Sequence, residues 1–260
     1  MRGAVSVVRA IYLRTPARVR RALGEALPEP LQRRIRGAVG PTEWATPDGP
    51  LERNPSWNAI PTEYWVELED GEDYNFRSQE ILVAYLDRAL RPATGRVSLL
   101  DTACGNGRLY RGLKEAGLAD RVDYRGSDFA EHLVEAARIL NPGVPYDVGS
   151  LEELPYEDGS FDVVVAQHVI QYLDGYDVAL RELLRVSRWM AVVVVKGIGE
   201  GEDRLGTYFN QRHQRFFRAN MYDPGKLKAF ARAEGAALAF TLNDARFDDP
   251  KGQHIYVFLK

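Results

Sequence analysis

From Arg96 onward, short apolar runs alternate with longer stretches in which apolar residues recur every three to four positions. Residues 97–100, 122–126, 146–148, 161–166 and 191–195 read as strands, and residues 108–116, 130–140 and 176–186 as helices. The runs Phe-Asp-Val-Val-Val-Ala (161–166) and Ala-Val-Val-Val-Val (191–195) are unbroken rather than alternating. Such runs belong to strands covered on both faces, which means a parallel sheet with crossover helices. Right-handed crossovers then give a doubly wound α/β fold. After a helix at 224–234, residues 237–242 and 254–259 have no helical stretch between them and predict a terminal antiparallel hairpin. The expectation is a mostly parallel seven-stranded sheet with a C-terminal antiparallel hairpin, preceded by an N-terminal helical extension.

Upstream of the sheet the pattern changes. Residues 78–90 carry a helical stripe of Ile81, Leu82, Tyr85, Leu86 and Ala89. Residues 40–62 are broken by Pro41, Pro47, Gly49, Pro50, Pro55 and Pro61 and read as linker. Trp57, Tyr64, Trp65 and Tyr74 form either a lid over an acceptor or a cover for the sheet edge. The chain divides into an Arg-rich extension and linker (1–50), a cap or lid segment (51–95) and the sheet domain (96–260).

Composition changes this picture in two places. Residues 1–40 hold nine arginines against Glu25 and Glu29, a net +7 in a chain of net −3. A basic amphipathic extension suits an anionic membrane surface or the phosphates of RNA, or it packs on the domain by its apolar stripe. Cys104 is the single cysteine, so no disulfide framework or cysteine metal cluster is expected, in keeping with a cytoplasmic protein. Cys104 itself reads as a packing residue before it reads as a nucleophile. No acid or histidine cluster reads as a metal site, and no apolar stretch is long enough to span a membrane.

The candidate chemistry lies at the carboxyl end of the first strand, in Asp101-Thr102-Ala103-Cys104-Gly105-Asn106-Gly107-Arg108. Ligands of doubly wound sheets bind outside these strand ends. Gly105 and Gly107 remove side chains where strand turns into helix, so backbone can approach a ligand closely. A dinucleotide loop would continue to a third glycine, but Tyr110 stands three residues after Gly107, which suits a ligand without a diphosphate. Asp128, 21 residues after Gly107, ends the second strand where a carboxylate accepts from ribose hydroxyls. Singly, Asp101 could also only cap the turn and Asp128 reads as a helix N-cap; their joint spacing favours a site.

These residues resemble motif I and the ribose-acid motif (Gly126-Ser127-Asp128-Phe129) of the Rossmann-like class I S-adenosylmethionine (SAM)-dependent methyltransferases, in their small-molecule, type 11-like subgroup. Residues 151–164 and 181–186 resemble further motifs of that family. The resemblance, covering about residues 75–260, implies SAM as cofactor, S-adenosylhomocysteine (SAH) as product, and no metal. Carried onto this chain, it implies that Ala103, Gly105 and Gly107 line the methionine part of SAM. Asp101 closes the strand before that loop, and Asp128 binds ribose. Phe129, Ser150 and Leu151 flank adenine, Gln167 stands beside the sulfonium, and Arg77 meets the methionine carboxylate. Ala103 and Ser150 replace more usual residues, and Ser187-Arg188-Trp189-Met190 replaces the usual turn before the fifth strand.

Such a site aligns an acceptor with the methyl group, and an oxygen acceptor also needs its proton removed. His168, just past the fourth strand, and His213, expected in a loop after the fifth, are the candidate bases; Tyr172 is a further candidate. Each reads also as a pocket-wall residue. The glycine-rich stretch 197–206 reads as a mobile loop near the acceptor. Ala166-Gln167-His168-Val169 lacks the motif for methylating adenine or amide nitrogens, so the expected acceptor is an O or N atom of a sugar, lipid or secondary metabolite. An RNA methyltransferase using residues 1–40 and a non-catalytic regulatory subunit of the same fold are the alternatives.

Overall fold

The valines of residues 192–195 show how the sheet is built. In the computed structural model, β5 (Ser187–Lys196) directs Ala191, Val193 and Val195 into one hydrophobic layer and Val192 and Val194 into the other, all almost fully buried. Each such valine, removed from water, contributes roughly 1.5–3 kcal/mol. The strand can be continuously apolar because helices cover both faces.

The structure describes residues 60–67, 77–196, 199, 201–210, 215–242 and 253–260. In chain order they form α1 (Thr62–Glu67), α2 (Arg77–Leu90), β1 (Val97–Thr102), α3 (Arg108–Glu115), β2 (Val122–Asp128), α4 (Glu131–Leu140), β3 (Tyr146–Val148) and β4 (Phe161–Gln167). There follow α5 (Asp177–Val186), β5, β6 (Thr207–Asn210), β7 (Arg215–Arg218), α6 (Pro224–Ala233), β8 (Leu238–Leu242) and β9 (Gln253–Leu259). The seven-stranded sheet has the order β3-β2-β1-β4-β5-β9-β8. β1 to β5 are mutually parallel, and β9 runs antiparallel to both β5 and β8. This is the expected doubly wound sheet with its terminal hairpin.

One layer is closed by α2, which buries Leu82, Leu86 and Leu90 against Leu99, Val163 and Val192. The other is closed by α5 and α6, through Leu180, Leu183, Leu184, Leu227 and Ala231. Helix α6 starts from a built cap: the Asp223 side chain accepts from Lys226 N, and Pro224 occupies the first turn, where its missing N–H costs nothing.

Three features depart from the sequence reading. Ser187-Arg188-Trp189-Met190 is not a turn: β5 begins at Ser187 directly from α5, and the register against β4 shifts between Phe161 and Val163 to absorb the join. The orphan carbonyls at the end of α5 are met by Ser187 Oγ and Lys260 Nζ, which both donate to Leu184 O. Second, the segment read as loop after the fifth strand holds an antiparallel ribbon, β6–β7, pairing Thr207 with Arg218 and Asn210 with Arg215. Third, residues 62–67 are helical and pack on α4, although Pro61 and its neighbours read as linker up to 62. The expectations for the basic extension (1–40), for Trp57 and Tyr74, and for His213 lie outside the described residues. Among the described residues, no helix is long and apolar enough to cross a membrane.

Candidate functional site

Strand order reverses between β1 and β4: β2 and β3 lie to one side, β5 to the other. The crevice outside the carboxyl ends of β1 and β4 is therefore where a ligand is expected. Thr102 and Ala166 pair across it. Just beyond each strand stands a residue in the left-handed region, Ala103 (φ 54) and His168 (φ 53), the non-glycine residues with positive φ among those described. Each such conformation costs about 1–2 kcal/mol and persists only where neighbouring structure imposes it. Here backbone bonds impose it: Cys104 N donates to Ser127 O at 2.9 Å, and His168 N to Val194 O at 2.7 Å.

The two glycines of the loop have different surroundings. A Cβ on Gly105 (φ 55) would meet nothing within 4 Å, so this position is open. On Gly107 (φ 79) it would collide with Tyr146 Oη and Asn141 Nδ2. Gly107 is thus required by the packing that starts α3, and Gly105 presents bare backbone.

Two buried carboxylates stand behind the loop. Asp128 accepts from Gly105 N through Oδ2 and from Ala130 N through Oδ1, both at 3.0 Å. Burial raises its pKa to about 6, against the lowering effect of those backbone N–H groups. The N-cap of α4 is Ala130, without a side-chain cap, so Asp128 is not that helix's N-cap. Asp101 Oδ2 accepts from Tyr124 Oη at 2.7 Å, while Oδ1 is buried without a partner. Burial raises this pKa to about 7. Asp101 bonds to a neighbouring strand, not to the turn that follows it. Tyr110, at the third-glycine position of a dinucleotide loop, packs on Tyr124 with ring centroids 5.1 Å apart.

Around this pair the other predicted residues fall as follows. Phe129 is half-buried against Ile60, Trp65 and Leu133. Helix α1 lies there too, with Asn106 Nδ2 donating to Trp65 O at 3.0 Å. Tyr64 and Trp65 therefore pack on α4 and Phe129, and the Trp65 backbone is tied to the glycine loop. Ser150 and Leu151 follow β3 beside Asp128, whose carbonyl accepts from Gly149 N at 2.9 Å. The Leu151 side chain joins the core, and the exposed Ser150 hydroxyl accepts from Glu152 N. Gln167 ends β4, half-buried, and Tyr172 ends the short 3₁₀ turn Ile170–Tyr172 beyond His168. Arg77 opens α2, its side chain outside the described residues. Cys104 is buried, and its thiol pKa is pushed well up by burial and by the two carboxylates, which suits packing and not nucleophilic attack.

Sequence reasoning missed three residues here. Ser78, on the first turn of α2, places Oγ 3.1 Å from His168 Nε2. Its neighbour Gln79 donates through Nε2 to Arg108 O at 3.1 Å. Gln171 is 2% exposed, and both atoms of its amide are buried without a partner. Only Gln171 left a trace in the chain, as a polar residue inside the apolar run Val169-Ile170-Gln171-Tyr172-Leu173. The ribbon β6–β7 is anchored above that turn: Asn220 N donates to Gln171 O, Asn220 Nδ2 to Leu173 O, and Arg218 pairs with Asp174.

Comparison with known proteins agrees with this geometry. Residues 100–195 match the family model of a methyltransferase domain. The chain is 28% identical over 113 residues to malonyl-(acyl-carrier protein) O-methyltransferase of Pectobacterium atrosepticum, covering 44% of this chain and 43% of that protein. It is 30% identical over 138 residues to demethylmenaquinone methyltransferase of Staphylococcus aureus, covering 52% and 56%. The chain thus spans about half the length of these curated relatives. Magnesium protoporphyrin IX methyltransferase of Synechocystis, solved with bound SAM, shares the fold with a TM-score of 0.57 at 14% identity, over 82% of this chain and 100% of that one. Strand order, the glycine loop backed by Asp101 and Asp128, and the match over residues 100–195 together support a class I SAM-dependent methyltransferase domain in this part of the chain.

Proposed function

We propose that the chain transfers a methyl group from SAM to an oxygen or nitrogen atom of a small-molecule acceptor. The observation that carries this reading is the joint between Asp128 and Gly105, which sets a buried carboxylate behind an open glycine at the switch point.

The residues present fit SAM. Asp101 Oδ1, buried and unpartnered, is an acceptor for an ammonium group such as that of the methionine part. Each Asp128 oxygen accepts one backbone N–H and keeps a lone pair for a ribose hydroxyl. Ala103, Gly105 and Gly107 would hold the methionine part with Arg77 at its carboxylate; Phe129, Ser150 and Leu151 would flank adenine, and Gln167 the sulfonium. Bound there, SAM supplies a methyl group on a good leaving group and leaves as SAH. The protein's own work is then alignment, exclusion of water and removal of a proton. His168, strained and placed at the β4 lip of the crevice, takes the base role, with Tyr172 and His213 as further acceptor-side groups. The name of the demethylmenaquinone relative supports a small-molecule acceptor, and the absence of the motif for adenine or amide nitrogens supports the same class.

The test is calorimetric titration of the full chain with SAM and SAH. Labelled SAM is then incubated with a metabolite extract of the source organism, and the products are read by mass spectrometry. Heat on titration and one labelled metabolite are expected; no heat with either nucleoside sinks the reading.

A further inference from the structure

Asp101, near the end of β1, keeps its two carboxylate oxygens in different surroundings. Tyr124 Oη, on β2, donates to Oδ2 at 2.7 Å, while Oδ1 is buried without a partner. We propose that Tyr124 is the positioning residue for Asp101: its hydroxyl holds one carboxylate oxygen and leaves the other to receive the ammonium group of the methionine part of SAM. This rests on the cofactor site proposed above.

Tyr124 can position another group because it is itself held. It is buried, its ring tilted on Tyr110 of α3 with centroids 5.1 Å apart and edge-on to Tyr146 of β3 at 6.0 Å. The Tyr146 ring is seated in turn on Gly126, where an added Cβ would run into it. Gly126 is the residue that pairs with Asp101 across β1 and β2, so a bare backbone there makes room for the rings behind the loop. With its ring fixed, the phenol oxygen has one location. An ionised carboxylate only accepts, so the phenol donates. An aspartate carboxyl otherwise turns broadly about χ2, and the bond to a fixed hydroxyl removes that freedom. The ammonium group then meets an oxygen already in place, which lowers the ordering cost of binding.

The same bond bears on the charge of Asp101. The titratable groups facing this carboxyl are Tyr124 and Asp128 on β2, Cys104 in the loop and Tyr146 on β3. Burial presses Asp101 toward its neutral acid, the Tyr124 hydrogen bond opposes this, and the Asp128 charge adds to burial. Cys104, Tyr124 and Tyr146 are themselves pushed up by burial and stay neutral at neutral pH, with the Arg111 charge of α3 acting on Tyr146 in the other direction. Tyr124 therefore does two things for one oxygen pair: it fixes the plane of the carboxyl, and it favours the ionised form that an ammonium group needs.

The test uses the full chain labelled with ¹³C at its aspartate carboxyl carbons, with the Asp101 signal assigned by Asp101→Asn. In the ligand-free wild type this carboxyl titrates at about 7. In Tyr124→Phe the midpoint moves up by about one unit, a change of about tenfold in the ionisation constant. Calorimetry at neutral pH then compares SAH with 5′-methylthioadenosine, which keeps the adenine, ribose and sulfur but has no ammonium group. Tyr124→Phe weakens SAH by about tenfold and leaves methylthioadenosine within about twofold, a split that general damage to the loop would not produce. On an Asp101→Asn background the same substitution changes SAH affinity by less than about twofold, since its path through Asp101 is gone. Tyr124→Met takes the place of Tyr124→Phe, with the same expectations, should the latter not fold. An Asp101 midpoint indifferent to Tyr124, or equal losses for the two ligands, overturns the assignment. Absence of heat from wild type with both ligands sinks the cofactor reading and this assignment with it, whereas normal SAH binding beside an unmoved Asp101 midpoint sinks the assignment alone.

Discussion

Asp128 at the end of β2 accepts a 3.0 Å hydrogen bond from the backbone N–H of Gly105, and this one contact joins two strand ends into a site. It orients a carboxylate that burial alone would drive out of its charged state, and it pins the open glycine next to that carboxylate.

Asp128→Ala removes the joint and the proposed ribose acceptor together. SAH titration should show at least a hundredfold loss of affinity, since charge-assisted hydrogen bonds contribute about 1.5–3 kcal/mol each. SAH-dependent thermal stabilisation should vanish. Unchanged SAH affinity in a folded Asp128→Ala protein would remove Asp128 from the site.

Binding and stability should respond to pH in opposite directions. Burial raises the folded pKa of Asp101 to about 7 and of Asp128 to about 6, both from 3.8. An acid with a raised folded pKa favours folding in its protonated form, and that contribution is lost as pH rises through the folded value. Ammonium and hydroxyl donors need the ionised forms. On going from pH 8 to pH 5.5, the ligand-free melting temperature should therefore gain from these two groups while SAH affinity falls, most steeply below about pH 6. Calorimetry and thermal scans in matched buffers measure both; an SAH affinity that is flat over this range contradicts it.

Gly105→Ala and Gly107→Ala should separate binding from folding. Both need positive φ, which costs a Cβ about 1–2 kcal/mol. Only Gly107→Ala also drives a methyl group into Tyr146 and Asn141. Denaturant unfolding should show the larger loss there, by about 1–3 kcal/mol more for the overpacking. Gly105→Ala should keep most of its stability and lose SAH affinity, because its methyl group projects into open space beside Asp128.

Gln171→Leu should stabilise the ligand-free protein. The amide of Gln171 is buried with neither atom paired, and replacing such a group with an apolar one recovers about 1–3 kcal/mol of desolvation cost. Urea unfolding of the two proteins decides it, and a lower midpoint for Gln171→Leu would show that the amide is satisfied in solution.

Much of the layered sheet was legible because its signals are local. A strand buried on both faces must be apolar throughout, so Val192 to Val195 announce it, and the helical stripe of residues 78–90 needs only its own spacing. The ribbon β6–β7 carried a signal as well, in Thr207-Tyr208-Phe209 and Arg215-Phe216-Phe217-Arg218, but four-residue strands after a glycine-rich stretch leave too short a pattern to separate from loop.

By itself the sequence determined the doubly wound sheet, its reversed last strand, and the spacing that sets Asp101, Gly105, Gly107 and Asp128 at adjacent strand ends, since each follows from periodicity or counting along the chain. Tertiary structure alone decided that Gly107 serves packing while Gly105 stays open, that α1 is tied to the glycine loop, and that Ser78 meets His168. Those facts depend on which side chains from distant segments come within a few ångströms, and no spacing within one segment encodes a distance between two.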